Sequence, residues 1–139
     1  MEKLKKLFEI KKFMFSLGFK KSGKTLEAIR KKCLGSIELI ICGGAHVSRE
    51  IMEQFQYMGV TVLQGYGITE CAPLVSVNRN NANKFDSVGT VTANCEVKIE
   101  DGEILVRGKN VMTGYYKLQD LTNEAMRDGW FATGDLGYL

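Results

Sequence analysis

Two short apolar runs separated by one amphipathic segment constrain the fold of this chain more than any other feature. Residues 37–42 predict a buried strand that Gly43-Gly44 stops, and residues 60–63 predict a second, β-branched strand. Between them we expect a helix over residues 48–58, with Ser48 as its N-cap. A strand–helix–strand unit favours parallel pairing, and ligands of such sheets bind at the carboxyl ends of the strands.

Glycine-containing segments follow both predicted strands. The first is Gly43-Gly44-Ala45 and the second is Gly65-Tyr66-Gly67-Ile68-Thr69-Glu70. Glycine lets the backbone approach a ligand closely, an aromatic ring can stack on a base, and a hydroxyl can donate to a phosphate oxygen. A carboxylate such as Glu70 can bind Mg2+. Because both segments lie at the same edge of the sheet, we expect them to form one shared nucleotide pocket.

The two ends of the chain differ in pattern from this central unit. Residues 2–19 and 25–34 predict amphipathic helices, the second with Leu26, Ile29 and Cys33 on its apolar side. After Pro73, short strands are expected at residues 89–92, 95–100, 103–107 and 130–133, with a short helix at 121–126. Asp101-Gly102 is a typical two-residue hairpin turn, so this half should be mostly antiparallel. We therefore divide the α/β chain into a basic helical head (1–36), a strand–helix–strand portion (37–76) and a β-rich portion (77–139).

Charge is distributed unevenly along the chain. Residues 1–32 contain 11 Lys and Arg against 3 Asp and Glu, whereas residues 33–139 contain 8 against 13. A basic helix is most often a solvated surface, but it can also contact an anionic membrane or an acidic partner. No base-reading motif accompanies it, so we expect no nucleic-acid partner.

The cysteines and apolar runs restrict the environment of the protein. Four widely spaced cysteines and the single His46 do not form a zinc-binding pattern, which favours reduced cysteines and a cytoplasmic location. Lysines interrupt the apolar runs near the start, so neither a membrane span nor a secretion signal is expected.

Residues 18–25 match the G-x-x-x-x-G-K-T spacing of a phosphate-binding loop. Such a loop follows a buried strand, opens a helix, and needs a later strand that ends in Asp to order Mg2+. Here the preceding segment predicts a helix, and residues 37–42 end without Asp. A nucleoside triphosphatase that uses this loop is therefore the weaker alternative.

Three further segments lie downstream of the glycine-containing ones. They are Gly102-Glu103-Ile104-Leu105-Val106-Arg107-Gly108, Val111-Met112-Thr113-Gly114-Tyr115-Tyr116 and Gly129-Trp130-Phe131-Ala132-Thr133-Gly134-Asp135. In this order and at these spacings, the set resembles the adenylate-forming superfamily of acyl-CoA synthetases, luciferases and peptide-synthetase adenylation domains. The resemblance covers roughly residues 36–139. Residues 64–79 and 135–138 are most similar to bacterial long-chain fatty-acid–CoA ligases.

The resemblance implies a role for each matched residue. Gly44 and Ala45 would line one face of the adenine, and Tyr66, between Gly65 and Gly67, would stack on the other. Thr69 would bind the α-phosphate, Glu70 would bind Mg2+, and Asp135 would accept hydrogen bonds from the ribose hydroxyls. Gly67 and Ile68 would also border the acyl tunnel. Aromatic residues near strand ends usually pack, so we expect packing in the core or at its rim for Tyr115, Tyr116, Trp130 and Phe131. Thr133 is expected to shape a turn rather than to contact the ligand.

The implied enzyme uses ATP, Mg2+ and CoA with a fatty-acid substrate, and releases AMP and pyrophosphate. Its β-rich portion would form a small, barrel-like antiparallel unit. The family's phosphate loop is expected before Gly43, and its lysine-bearing C-terminal domain after Asp135. Because neither segment is recognisable, the resemblance implies an internal piece of a larger enzyme, inactive by itself.

Overall fold

The computed structural model describes residues 2–18 and 23–139 as a mixed α/β fold with two four-stranded sheets. The helices are α1 (Glu2–Ser16), α2 (Lys24–Leu34), α3 (Arg49–Tyr57) and α4 (Gln119–Ala125), with one 3-10 turn at Thr69–Cys71. The strands are β1 (Leu39–Cys42), β2 (Thr61–Gly67), β3 (Leu74–Val77), β4 (Thr90–Val91), β5 (Cys95–Glu100), β6 (Glu103–Gly108), β7 (Met126–Arg127) and β8 (Trp130–Leu136).

The first sheet has the strand order β1-β2-β3-β4. Strands β1 and β2 pair in parallel, with Cys42 opposite Gln64, and α3 connects them. Ser48 caps α3, because its hydroxyl accepts a hydrogen bond from the amide of Ile51 (3.4 Å). The predicted strand–helix–strand unit is therefore confirmed, and it places the ends of β1 and β2 side by side.

The second sheet has the order β5-β6-β8-β7, and all its neighbouring strands are antiparallel. Asp101 and Gly102 both have positive φ (51° and 84°) and form the predicted hairpin turn between β5 and β6. Within the described residues this sheet is open, with β5 and β7 at its edges. The antiparallel pairing is as predicted, and the barrel-like unit that the resemblance implied is an open sheet, because four strands are fewer than the about five to eight that close small barrels.

A buried cluster of Cys71, Val75, Val106 and Phe131 joins the two sheets. These residues come from the 3-10 turn, β3, β6 and β8, so side chains from both sheets exclude water from one shared core. Tyr66 and Ile68 pack against this cluster from the end of β2. The packing therefore holds the glycine-containing segment after β2 against the second sheet.

Strand β2 is longer than the sequence predicted. It continues through Gly65-Tyr66-Gly67, because these residues pair with β3, a strand that the sequence analysis did not predict. A side chain at position 67 would place its Cβ only 2.1 Å from the carbonyl oxygen of Pro73. Gly67 is therefore required by the close approach of two backbones, rather than by a turn.

The predicted apolar side of α2 is partly wrong. Leu26 is buried, but Cys33 is exposed and Arg30 is buried instead. The Arg30 guanidinium donates to the carbonyl oxygen of Ile37 (3.1 Å) and lies 3.7 Å from Glu38. A backbone carbonyl and a carboxylate oxygen therefore offset part of the cost of burying this charge, while the buried Nε of Arg30 has no hydrogen-bond partner among the described residues.

Two other features of the head can be placed. The phosphate-loop candidate at residues 18–25 includes residues 19–22, which lie outside the described residues, and helix α1 precedes it instead of a strand. Within residues 2–18 and 23–139, no helix has both the length and the hydrophobicity needed to cross a bilayer. The division of the chain into three portions, with boundaries at residues 36/37 and 76/77, stays a prediction. Strand β4 lies after the second boundary but belongs to the first sheet.

Candidate functional site

A pocket of about 310 Å3 lies where β1 and β2 end. It contains five of the predicted site residues, Gly44, Gly65, Tyr66, Gly67 and Thr69, whereas Ala45, Glu70 and Asp135 lie outside its lining. The other residues that line it are Ile41, Cys42, Gly43, Ile68, Pro73 and Leu74. The two glycine-containing segments thus form one pocket, as their places in the strand order predicted.

Gln64 fixes the loop that leaves β1. Its side chain is buried, its Oε1 accepts a hydrogen bond from the amide of Val47 (2.8 Å), and its Nε2 donates to the carbonyl oxygen of Phe85 (3.2 Å). The bond to Val47 connects the segment before α3 to β2 and holds Gly44 and the exposed Ala45 beside the pocket, while the bond to Phe85 fixes the Gln64 side chain. The signal in the sequence is a lone polar residue at the end of an apolar strand, and no role was predicted for it.

Tyr66 and Asp135 are hydrogen-bonded to each other. The Tyr66 hydroxyl donates to Oδ2 of Asp135 at 2.6 Å, across 69 residues of sequence. Burial and this bond together raise the pKa of Tyr66 well above its usual range, so the phenol stays protonated at neutral pH. The bond joins an aromatic ring to an exposed carboxylate at one end of the pocket.

The turn that presents Asp135 is held by the neighbouring strand. The Thr133 hydroxyl donates to the carbonyl oxygen of Ile104 (2.8 Å) and accepts a hydrogen bond from the Asp135 amide (3.1 Å). The amide of Gly134, where φ is 75°, donates to the Glu103 carboxylate (2.9 Å). Thr133 therefore shapes the turn, while the Asp135 side chain reaches Tyr66.

Glu70 lies in the 3-10 turn directly after the pocket residue Thr69. Its carboxylate accepts a hydrogen bond from the Tyr115 hydroxyl (2.9 Å), and its carbonyl oxygen accepts one from the amide of Met112 (2.7 Å). The bond to Glu70 raises the pKa of Tyr115. The prediction that Tyr115 only packs therefore misses a polar contact, because nothing in the sequence shows that residues 45 apart meet.

The carboxylate of Glu70 fits the requirements of a nucleotide-bound Mg2+. Within the described residues, no group of three or more His, Cys, Asp and Glu side chains could form an all-protein metal site. Mg2+ usually binds through one or two carboxylates together with substrate phosphates and water. A single carboxylate, oriented by Tyr115 and next to the Thr69 hydroxyl of the pocket, matches that pattern.

The pocket has no cationic side chain in its lining, which consists of glycine, apolar residues, Tyr66 and Thr69 in the part of the chain described. Such a lining suits a flat aromatic base and can donate one hydroxyl to a phosphate. It offers no positive group for a triphosphate. The geometry therefore fits the adenosine and α-phosphate end of a nucleotide.

Comparison with known proteins identifies the family. A model described as AMP-binding enzyme matches residues 9–116. The chain belongs to this family. It is 36% identical over 126 residues to a 2-succinylbenzoate–CoA ligase of Bacillus velezensis, covering 82% of the chain and 26% of that relative. It is also 36% identical over 104 residues to a long-chain-fatty-acid–CoA ligase of Mycobacterium bovis, covering 74% and 17%.

Solved structures of the family have the same fold. The O-succinylbenzoate coenzyme A synthetase of Bacillus subtilis, in complex with ATP and magnesium, superposes with a TM-score of 0.69 and 31% identity over 86% of the chain and 28% of that structure. The same synthetase with its acyl-adenylate intermediate gives 0.70 and 31% over the same shares. The chain thus spans about a quarter of the length of the relatives it matches. Its architecture is that of part of the large domain of adenylate-forming enzymes.

Proposed function

We propose that the protein works as an ATP-dependent acid–CoA ligase in which this chain provides the adenosine side of the active site. The observation that supports this most is the Tyr66–Asp135 hydrogen bond next to a glycine-lined pocket. It joins a ring suited to stacking on a base and a carboxylate suited to the two hydroxyls of a ribose. Tyr66 lies within residues 9–116, which match the family model, and the segment that ends in Asp135 resembles the family in sequence.

Each side chain then has one binding task. The Tyr66 ring stacks on one face of the adenine, while Gly44 and Ala45 lie along the other, where a larger side chain would exclude the base. Asp135 accepts hydrogen bonds from the ribose hydroxyls with the oxygen lone pairs that Tyr66 leaves available. Thr69, exposed at the end of the pocket, donates to the α-phosphate.

Glu70 is the residue that would hold Mg2+, whose chemistry is to offset the negative charge of the phosphates. Its place next to Thr69 brings a carboxylate beside the α-phosphate position. In the reaction, a carboxylate oxygen of the acid attacks the α-phosphorus and pyrophosphate leaves. The thiol of CoA then attacks the acyl carbon and AMP leaves.

A long-chain fatty acid is the substrate that we propose. The support is the similarity of residues 64–79 and 135–138 to fatty-acid–CoA ligases, because overall identity does not separate the substrates: it is 37% both to a long-chain-fatty-acid–CoA ligase of Salmonella typhimurium and to a feruloyl-CoA synthase of Amycolatopsis. Other relatives are named for succinylbenzoate and ferulate, so the acid must be tested. In the full-length ligase, acid-dependent exchange of pyrophosphate into ATP should be fastest with palmitate. Faster exchange with 2-succinylbenzoate or ferulate would contradict the fatty-acid proposal.

The 139-residue chain alone should not form an acyl-adenylate. Adenylation needs positive groups that stabilise the leaving pyrophosphate, and none of the described residues that line the pocket is cationic. A coupled pyrophosphate assay with ATP, Mg2+ and palmitate should therefore give the rate of the blank. Pyrophosphate release above that rate by the purified chain would contradict this part of the proposal.

The basic head gives a second, compatible proposal: peripheral contact with an anionic membrane by a cytoplasmic enzyme. Helix α1 exposes Ile10 (52%) and Phe13 (66%), and Leu17 after it is 60% exposed, among exposed lysines. Apolar side chains with lysines around them suit the surface of an anionic bilayer. Sedimentation with phosphatidylglycerol vesicles should decrease for Phe13→Ser and at high salt. Unchanged sedimentation of that variant would refute membrane contact through this face.

A further inference from the structure

We infer that Tyr115 is a positioning residue, whose hydroxyl orients the Glu70 carboxylate for the metal-bound nucleotide. This inference rests on the proposed function, because it gives a further residue to the same site. Tyr115 does not line the pocket itself. It acts through Glu70, with which it forms a 2.9 Å hydrogen bond.

The loop that carries Tyr115 contacts the Glu70 turn at several points. Besides the two bonds to Glu70, the side-chain amide of Asn110 donates to the carbonyl oxygens of Cys71 (3.0 Å) and Leu74 (3.2 Å). The amide of Met112 holds the Glu70 backbone at 2.7 Å. These bonds to the backbone fix where the turn lies, while among residues 2–18 and 23–139 only the Tyr115 hydroxyl is hydrogen-bonded to the carboxylate itself.

Tyr115 is itself held in place from α4. Its amide donates to the hydroxyl of Thr122 (2.9 Å), a buried side chain that also donates to the carbonyl oxygen of Leu118 (3.0 Å). At Gly114, where φ is 151°, an added Cβ would lie 2.8 Å from the Thr122 methyl group. The backbone of Tyr115 is therefore packed closely against α4, which fixes the position from which its side chain reaches Glu70.

The chemistry of a phenol suits this task. The neutral hydroxyl donates one hydrogen bond and leaves the charge on the carboxylate, whereas lysine or arginine would compete with a cation for it. Within the described part of the chain, Tyr115 is the one side chain hydrogen-bonded to the Glu70 carboxylate, through Oε1. The Oε2 atom is then available to a metal ion. Hydrogen-bond partners of metal ligands typically change metal affinity by about 10–100-fold.

The test compares ATP binding with and without metal. The 139-residue chain is titrated with ATP by ligand-observed NMR, once with EDTA and once with Mg2+. The variants are Tyr115→Phe and, as a matched control, Tyr116→Phe, which removes the same hydroxyl from an adjacent ring that is 85% exposed. Glu70→Gln marks the result expected when the metal-binding carboxylate is lost.

Tyr115→Phe should leave the metal-free Kd unchanged and reduce the gain in affinity that Mg2+ provides by about tenfold. Tyr116→Phe should match the wild type. The inference would be overturned if Mg2+ increased the affinity of Tyr115→Phe for ATP as much as it increases that of the wild type. It would also be overturned if Tyr115→Phe bound ATP equally more weakly with and without metal, because that result indicates that Tyr115 only packs. Absence of ATP binding by the wild type would instead refute the proposed function, and this inference with it.

Discussion

The bond between Tyr66 and Asp135 can be tested by removing a single hydroxyl. Tyr66→Phe keeps the ring in its place against the core but removes the 2.6 Å hydrogen bond between β2 and β8. Hydrogen bonds to charged groups contribute about 1.5–3 kcal/mol to stability. Because Asp135 is exposed to water, we expect the lower limit, a loss of about 1.5 kcal/mol in the free energy of unfolding.

The assay is urea unfolding followed by the fluorescence of Trp130, the single tryptophan of the chain. The expected loss corresponds to a decrease of about 5 °C in Tm for a chain of this size. Tyr138→Phe is the matched control, because Tyr138 is 89% exposed. It should change the free energy of unfolding by less than about 0.5 kcal/mol.

A double-mutant cycle isolates the bond itself. If Tyr66 and Asp135 interact, Tyr66→Phe combined with Asp135→Ala should cost less than the sum of the two single substitutions, by about 1 kcal/mol or more. Additive effects within about 0.3 kcal/mol would refute the reasoning, since they would show that the two side chains do not interact in solution.

Three further predictions concern the same region. Gly67→Ala should destabilise the chain by about 3 kcal/mol in urea unfolding, because the added Cβ would lie 2.1 Å from the Pro73 carbonyl oxygen. The control is Gly23→Ala, which has open space around it and should cost less than about 1 kcal/mol. Equal losses in the two variants would contradict the argument. Burial raises the pKa of the Cys71 thiol to about 11. At about pH 8 the exposed Cys33 should therefore react with Ellman's reagent well before Cys71. Mass mapping that finds Cys71 modified first would contradict this prediction. The raised pKa of Tyr66 stabilises the folded chain, fully so below a pH of about 10, the pKa of an unfolded tyrosine, and less as the pH rises above it. The free energy of unfolding of the wild type should therefore fall more than that of Tyr66→Phe between about pH 9 and about pH 11.5. Equal decreases in the two proteins would show that Tyr66 does not titrate as described.

Local pattern was enough to predict parts of both sheets. The Ser48 cap in the strand–helix–strand portion follows from capping chemistry, and the bounds of β5 in the β-rich portion follow from side-chain alternation; the structure confirms both. The shared pocket also followed from strand order, because the ends of β1 and β2 must meet when these strands pair in parallel.

Contacts between distant segments could not be predicted in this way. The extension of β2 through Gly67 depends on β3, whose four residues after Pro73 give too short a pattern to recognise. The buried Arg30 and the polar contact of Tyr115 both depend on partners supplied by other elements. Sequence identified the types of residue in the candidate site, whereas the structure shows which of them touch.

One experiment tests whether this chain contains an adenosine site: titration with AMP and Mg2+ by ligand-observed NMR, comparing the wild type with Asp135→Ala and Tyr66→Ala. We expect weak binding by the wild type that both substitutions abolish, with the folded state of each variant checked by its amide spectrum. A folded wild-type chain that does not bind AMP, or variants that bind it equally well, would contradict the proposed site.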